Sequence, residues 1–453
     1  MESTSSTLSK SPEASEPRAI LKIALPLALA NVGGVAIGMT DSIMLGHWAP
    51  EALGAIGLTV SITVIIAGIV GGLLLPVMIL ISQARGAGRS RTVPIIIRQG
   101  LWIAGILSIP SCAILWNLEE ILLAIGQVPE LARMAGHYMD YVLWAILLGF
   151  FSAVFNYTAL AMGWTRIIAV ISWFGVGLNA VLDYALIFGK FGAPAMGIAG
   201  AGLASLIVTI ASFALFLALL FFRLPLAMIF HRLWRPNRTM LARIVRLGWP
   251  KSFELLMEVG FFSVITQLAG WFGVQPVAAH AIALQVFSLF SAVISASLAT
   301  AVNTRIGIAK GRKDRAAMWR TLNSGLLLFF SLMLPLIVVL WAFPSWAVML
   351  FVGTGPKAES LLPIATPLIA FAAFFALVDG LHDIAGYALN GLSDTKAPAL
   401  IATVCYWGIG LPSVTMLGVV MELGVLGLWY GWFIGVTIIA AVYLGRFRWV
   451  VSR

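Results

Sequence analysis

The chain has 453 residues, 61% of them hydrophobic and only 10% charged, with a mean hydropathy of +1.01. Soluble domains carry roughly a quarter charged residues, so this composition excludes a soluble fold of this length and leaves an all-α polytopic membrane protein. The net charge of +10 reads as a topology signal and not as a nucleic-acid surface, so no nucleic-acid partner is expected.

In chain order, residues 1–17 are rich in Ser, Glu and Pro and predict a disordered tail. A secretory signal has a charged start followed at once by an apolar core. That order is absent, so the first apolar run predicts a retained helix. A span needs about 20 mostly apolar residues. Apolar runs predict twelve: 20–46, 54–82, 94–117, 137–161, 167–189, 196–222, 244–272, 277–306, 317–342, 361–391, 397–417 and 424–445. With the amino terminus in the cytoplasm, all of the 28 Lys and Arg fall inside except Arg133, Lys190 and Lys357. That is the bias the positive-inside rule demands, and it puts both termini in the cytoplasm. Cys112 and Cys405 lie in separate apolar runs and predict neither a disulfide framework nor a CxxC metal site.

The halves of the chain resemble each other. Pro26 and Gly46 match Pro250 and Gly270; Ala55-Ile56-Gly57-Leu58 matches Ala281-Ile282-Ala283-Leu284. Gly163 matches Gly391, and Gly197-Ile198-Ala199-Gly200 matches Gly424-Val425-Leu426-Gly427. Six spans per half keep both halves in one orientation, a parallel repeat about an axis along the membrane normal. The expected organisation is a six-helix lobe at 18–222, a basic cytoplasmic linker at 223–246 and a second six-helix lobe at 247–453, with the substrate in the cleft between two pseudo-symmetric lobes.

Intramembrane acids are costly and usually functional. Asp41, Asp183, Glu254, Glu258, Asp379 and Asp383 fall inside the predicted spans, and no Lys or Arg is expected at their depth. An unpaired buried carboxylate takes up a proton or binds a cation. Asp41 and Asp183 both lie near the outer ends of their spans and predict one site in the first lobe, with Asn179 one turn before Asp183 on the same face. Glu258 and Asp379 lie near mid-span and predict a site in the second lobe. Secondary candidates are Glu254, which also reads as a partner of Lys251; Asp383 and His382, as an extension of a proton path; and Pro26, as a hinge near Asp41 because proline breaks the helical hydrogen-bond ladder.

There is no GxxxxGK[ST] loop, no HExxH and no GxSxG elbow, which argues against a P-loop ATPase, a zinc protease and a serine hydrolase. No catalytic residue and no cofactor beyond a coupling cation is expected.

Met39-Thr40-Asp41-Ser42-Ile43-Met44-Leu45-Gly46 resembles the first-helix signature of the multidrug and toxic compound extrusion (MATE) transporters. Arg98-Gln99-Gly100 with Trp102 and Ala104-Gly105 resembles the third helix of their NorM-like branch. Gly197 to Gly202, Gly410-Leu411-Pro412-Ser413 and Glu258-Val259 with Phe261-Phe262 resemble the family too. The resemblance runs from about residue 20 to the end. It implies a two-lobe, monomeric antiporter of a bacterial-type inner membrane that exports cationic, lipophilic drugs in exchange for Na+ or H+. It implies Asp41 as the acid of the first lobe, and Glu258 and Asp379 as cation-site acids of the second. Asn179 and Asp183 resemble a pair found in a DinF-like branch. A Tyr often found four residues before the second-lobe Asp is Phe375 here, which removes one oxygen. Two alternatives remain: a lipid-linked oligosaccharide flippase of the same superfamily, which calls for cavity cations, and a membrane-embedded enzyme.

Overall fold

The computed structural model describes residues 16–223, 236–353 and 356–453. Most of the expected tail and residues 224–235 of the expected linker lie outside the described residues. Hydrocarbon leaves no unpaired backbone group without cost, and among the described residues there are α-helices and no strand.

The helices are α1 (Glu16–Trp48), α2 (Pro50–Gly86), α3 (Val93–Trp116), α4 (Leu118–Ala124), α5 (Pro129–Met162), α6 (Thr165–Phe188) and α7 (Ile198–Arg223) in the first half. The second half has α8 (Arg238–Trp271), α9 (Val274–Gly311), α10 (Arg315–Ala342), α11 (Pro344–Val352), α12 (Pro356–Gly391), α13 (Lys396–Val420) and α14 (Gly424–Ser452). All but α4 and α11 are long and apolar enough to cross a membrane, twelve in all, as the apolar runs predict.

Local chemistry sets the ends. Proline stands in the first turn of α2, α3, α5 and α11, where its missing N–H costs nothing. Asn237 Oδ1 accepts the Met240 N–H at 3.0 Å at the head of α8, and Asp314 Oδ1 accepts the Ala317 N–H at 2.8 Å at the head of α10. Gly163, at φ 77°, closes α5 in the left-handed conformation that glycine takes without strain.

Three features depart from the expected elements. The short helices α4 and α11 cap the third and the ninth span, at repeat-equivalent places that the apolar runs do not mark. The Asn237 cap starts α8 before the expected residue 244, so 238–246 are helical turns. Finally, α9 widens into a π-helical turn at Ser291–Ser295, and α13 does so at Val404–Gly410 and Met416–Val420. Such turns recur at functional places in helices.

Two apolar cores, one per half, make the two six-helix lobes. They are laced together by their leading helices. Ile20, Ile23 and Ala24 at the start of α1 pack in the core of the second half, whereas Leu27 and Ala30 pack in the first. Conversely, Ile244 of α8 packs in the first core, and Phe261 and Ile265 in the second. Pro26 and Pro250, the equivalent prolines, stand where each helix passes from one core to the other.

The seam between the lobes is close-packed toward the end of the molecule rich in Lys and Arg, called the basic end below. Helix α2 lies against α8 and α9. A Cβ at Gly72 would fall 2.6 Å from the Ser252 backbone nitrogen, and one at Gly86 would strike the Ile308 carbonyl. Ser252 Oγ donates to the Ile69 carbonyl at 2.6 Å. Gln83 Nε2 donates to the Gly391 carbonyl at 2.9 Å and to Ser393 Oγ at 2.8 Å. Glu16, at the start of α1, takes two hydrogen bonds from Arg305 of α9 at 2.9 and 2.6 Å and one from Thr321 of α10 at 2.8 Å.

Candidate ion and substrate sites

The first-lobe acids come together. Asn179 Nδ2 donates to Asp41 Oδ1 at 3.0 Å across the packed helices α6 and α1. The Asp183 carboxyl lies beside that of Asp41, close enough to share a hydrogen bond if one of the two carries a proton. Asn179 and Asp183 are fully buried. Both Asp183 carboxylate oxygens and Asn179 Oδ1 are buried with no donor among the described residues. The charge of both acids reaches the nearby Tyr138 of α5; no Lys or Arg pairs with either acid among the described residues. Three buried oxygens thus stand beside Asp41 with no resident counter-charge, an arrangement that fits a proton or a small cation.

Below this cluster lies a cavity of about 490 Å³ between α1, α5, α6 and α7, with Ala296 and Thr300 of α9 completing one wall. Its polar lining is neutral: Asn31, Ser152, Asn156, Ser172, Thr209 and Ser212. Ile37 and Gly175 also line it. Asp41 and Asn179 follow them by one helical turn, roughly 6 Å further along the same faces. The acid cluster therefore lies about one helical turn beyond the cavity lining. Pro26 is not part of it, being fifteen residues from Asp41, roughly 22 Å along α1. Pro26 stands instead at the crossover between the cores.

The second-lobe acids form a larger network, and here the chain differs from expectation. Lys251 is buried, with Nζ 2.9 Å from Glu254 Oε1, and both side chains are almost fully shielded. The expectation that no Lys or Arg sits at the depth of the acids is thereby corrected. The reason is the early start of α8, which carries Lys251 more than three turns into the helix instead of leaving it at a loop. Of the two readings of Glu254, the ion-paired one holds. Tyr443 Oη donates to Glu254 Oε1 at 3.3 Å and to the Pro398 carbonyl at 2.9 Å. Lys251 also lies 5.4 Å from the Tyr387 ring centre, a favourable placement for a cation.

Glu258, one turn beyond Glu254, faces Asp383, Lys251 and Glu254. Asp379 is buried, and its one described donor is Ser291 Oγ at 3.4 Å. Ser291 is the first residue of the π-helical turn of α9 and meets Asp379 of α12 there. Glu258 and Asp379 share one electrostatic neighbourhood. His382 is buried with its ring stacked on Tyr443 at 5.5 Å, and its Nδ1 lies 3.8 Å from Asp383 Oδ1, too far for a hydrogen bond.

Phe375, where an oxygen-bearing Tyr was looked for, is fully buried in an aromatic cluster. It stacks on Phe287 at 5.2 Å and meets Trp432 edge-on at 4.4 Å. Trp429 Nε1 donates to His280 Nδ1 at 3.0 Å. Sequence reading missed Ser291 and His280, and found Lys251 only as the alternative partner of Glu254, on its i,i+3 spacing.

Residues 26–185 and 250–416 match the MatE family, each match opening on one of the crossover prolines. A Probable multidrug resistance protein NorM of Mesorhizobium japonicum is 34% identical over 445 residues, covering 95% of this chain and 93% of that protein. A protein of the same name from Synechococcus sp. is 32% identical over 442 residues, covering 95% and 94%. Among solved structures, a MATE transporter in a bent conformation superposes with a TM-score of 0.87 at 19% identity, covering 97% of this chain and 96% of that one. A multidrug resistance MATE family transporter in an outward-facing conformation gives 0.86 at 21%, with 97% and 96% covered.

Proposed function

Because this chain belongs to the MatE family, we propose that it is a secondary active multidrug efflux antiporter. In this reading it exports cationic, lipophilic compounds in exchange for H+ or Na+ across a bacterial-type inner membrane. The carrying observation is the Asp41–Asn179–Asp183 cluster: buried oxygens without a counter-charge, about one helical turn beyond a neutral cavity of about 490 Å³. A cationic drug in the cavity and a coupling ion at the acids compete for the same negative charge, and that competition is what an antiporter needs. An ion drives the cycle only if it binds the two states with different affinity.

In the same reading the basic end faces the cytoplasm, both termini with it, and the lobes 18–222 and 247–453 rock about the seam, joined by the linker 223–246. The twin crossovers at Pro26 and Pro250 let each lobe carry the root of the other lobe's leading helix. Lys251 does not favour the flippase alternative, since Glu254 already neutralises it and a pyrophosphate needs unpaired cations.

The test is dye export from proteoliposomes under an imposed pH gradient or an imposed Na+ gradient alone. Export under either gradient, abolished in Asp41→Asn, supports the reading. No export under both sinks it.

A further inference from the structure

A second cavity, of about 780 Å³, opens at the basic end where α1, α2, α5, α6 and α9 converge. Five cations line it: Arg18 and Lys22 of α1, Arg85 of α2, Arg166 of α6 and Arg305 of α9. Arg305 is neutralised by Glu16, and Arg85 donates to the Ala161 carbonyl. Arg18, Lys22 and Arg166 have no acid partner among the described residues. The positive-inside bias explains basic residues at this end. It does not explain why five, from four helices of both lobes, surround one hollow, where like charges repel. The cavity also has an apolar wall: Leu21 and Leu25 of α1 line it, and Leu25 is 62% exposed at the surface.

The repeat gives this cavity a counterpart. At an offset of 225, Arg18 corresponds to Arg243 and Arg85 to Lys310, and both line a smaller cavity of about 410 Å³ on the other side of the seam. Arg166, however, corresponds at the Gly163–Gly391 offset to Asp394, which is paired with Arg446 at 2.8 Å. Only the first half keeps a cation at that position, although the smaller cavity has four cations of its own, Arg89, Arg243, Lys310 and Lys313.

We infer that this cavity binds a phosphate-bearing anion, seated between Arg18, Lys22 and Arg166, with Leu21 and Leu25 flanking the acyl chains of an anionic phospholipid. Basic pockets between membrane helices on the charged side recognise such headgroups. Arg166 belongs to the first lobe, whereas Arg18 and Lys22 stand on the start of α1, which packs in the core of the second, so a bound anion also ties the lobes together at the basic end. The inference does not rest on the transport reading, and its test measures binding only.

The full chain, purified in detergent, is incubated with equal amounts of phosphatidylglycerol and phosphatidylcholine, and retained lipid is weighed by native mass spectrometry. The wild type retains phosphatidylglycerol preferentially. Arg18→Gln/Lys22→Gln/Arg166→Gln lowers that retention on the order of a hundredfold, at roughly fivefold per cation near anionic lipid. Arg166→Gln alone lowers it roughly fivefold, and the far-side control Arg133→Gln/Lys190→Gln leaves it unchanged. Inorganic phosphate that displaces the lipid at millimolar concentration supports the anion seat and assigns it to the free anion. Retention equal for the two lipids, or undiminished in both pocket variants, overturns the inference.

Discussion

Lys251 Nζ and Glu254 Oε1 are 2.9 Å apart inside the second lobe, and both side chains are shut off from solvent. Removing one partner of such a pair strands the other charge, which costs about 3–5 kcal/mol, whereas removing both is often neutral. Lys251→Met is therefore expected to lower the melting temperature sharply, and Lys251→Met/Glu254→Gln to restore most of it. Thermal unfolding followed by size-exclusion fluorescence reads this directly; a double variant no better than the single one would show that the pair is not a closed unit.

The first-lobe cluster leads to an expectation about export. Asp41→Asn and Asp183→Asn insert normally but reduce dye export to the level of empty liposomes. Asn179→Ala removes one hydrogen bond to a charged acid, worth about 1.5–3 kcal/mol, and so lowers export at least about tenfold while leaving both acids in place. Unchanged export in the Asp183 variant would confine the site to Asp41.

Close packing at the seam sets a third expectation. A side chain at Gly86 meets the Ile308 carbonyl, and backbone does not yield as a side-chain tip does. Gly86→Val is expected to wedge α2 from α9. With Cys112 and Cys405 replaced by Ala, a reporter Ser82→Cys, buried in the seam, is expected to react faster with an impermeant maleimide once Gly86→Val is added. Equal labelling rates would mean that the seam is not what closes this end.

Glu16 bridges from α1 to Arg305 and Thr321 with its side chain only 19% exposed. Charge-assisted bidentate bonds are stronger than ordinary surface pairs, yet partial exposure holds the effect near 1 kcal/mol. Glu16→Gln is expected to raise Ser82→Cys labelling roughly fivefold. Arg305→Gln is expected to add little on top, because partners in one contact are not additive. Fully additive effects would separate the two residues.

The sequence alone determined the membrane class, the twelve spans and the doubled architecture. Each rests on local quantities: apolar run length, charge between runs, and residues repeated at offsets of 224 to 228. The meeting of Asp41, Asn179 and Asp183 was legible as well, since acids at equal depth on neighbouring spans have little room to avoid one another. Tertiary structure decided the rest. Whether Lys251 is a loop charge or a buried partner depends on where α8 begins, and the Asn237 cap sets that start beyond any apolar signal. The π-helical turn at whose start Ser291 meets Asp379 of α12 leaves no mark in composition. The exchange of the roots of α1 and α8 between the cores, with Pro26 and Pro250 at the crossings, is a relation between helices hundreds of residues apart. So is the gathering of Arg18, Lys22, Arg85, Arg166 and Arg305 around one cavity. Counting charges per loop says which side they occupy; only the packing of the helices brings them together.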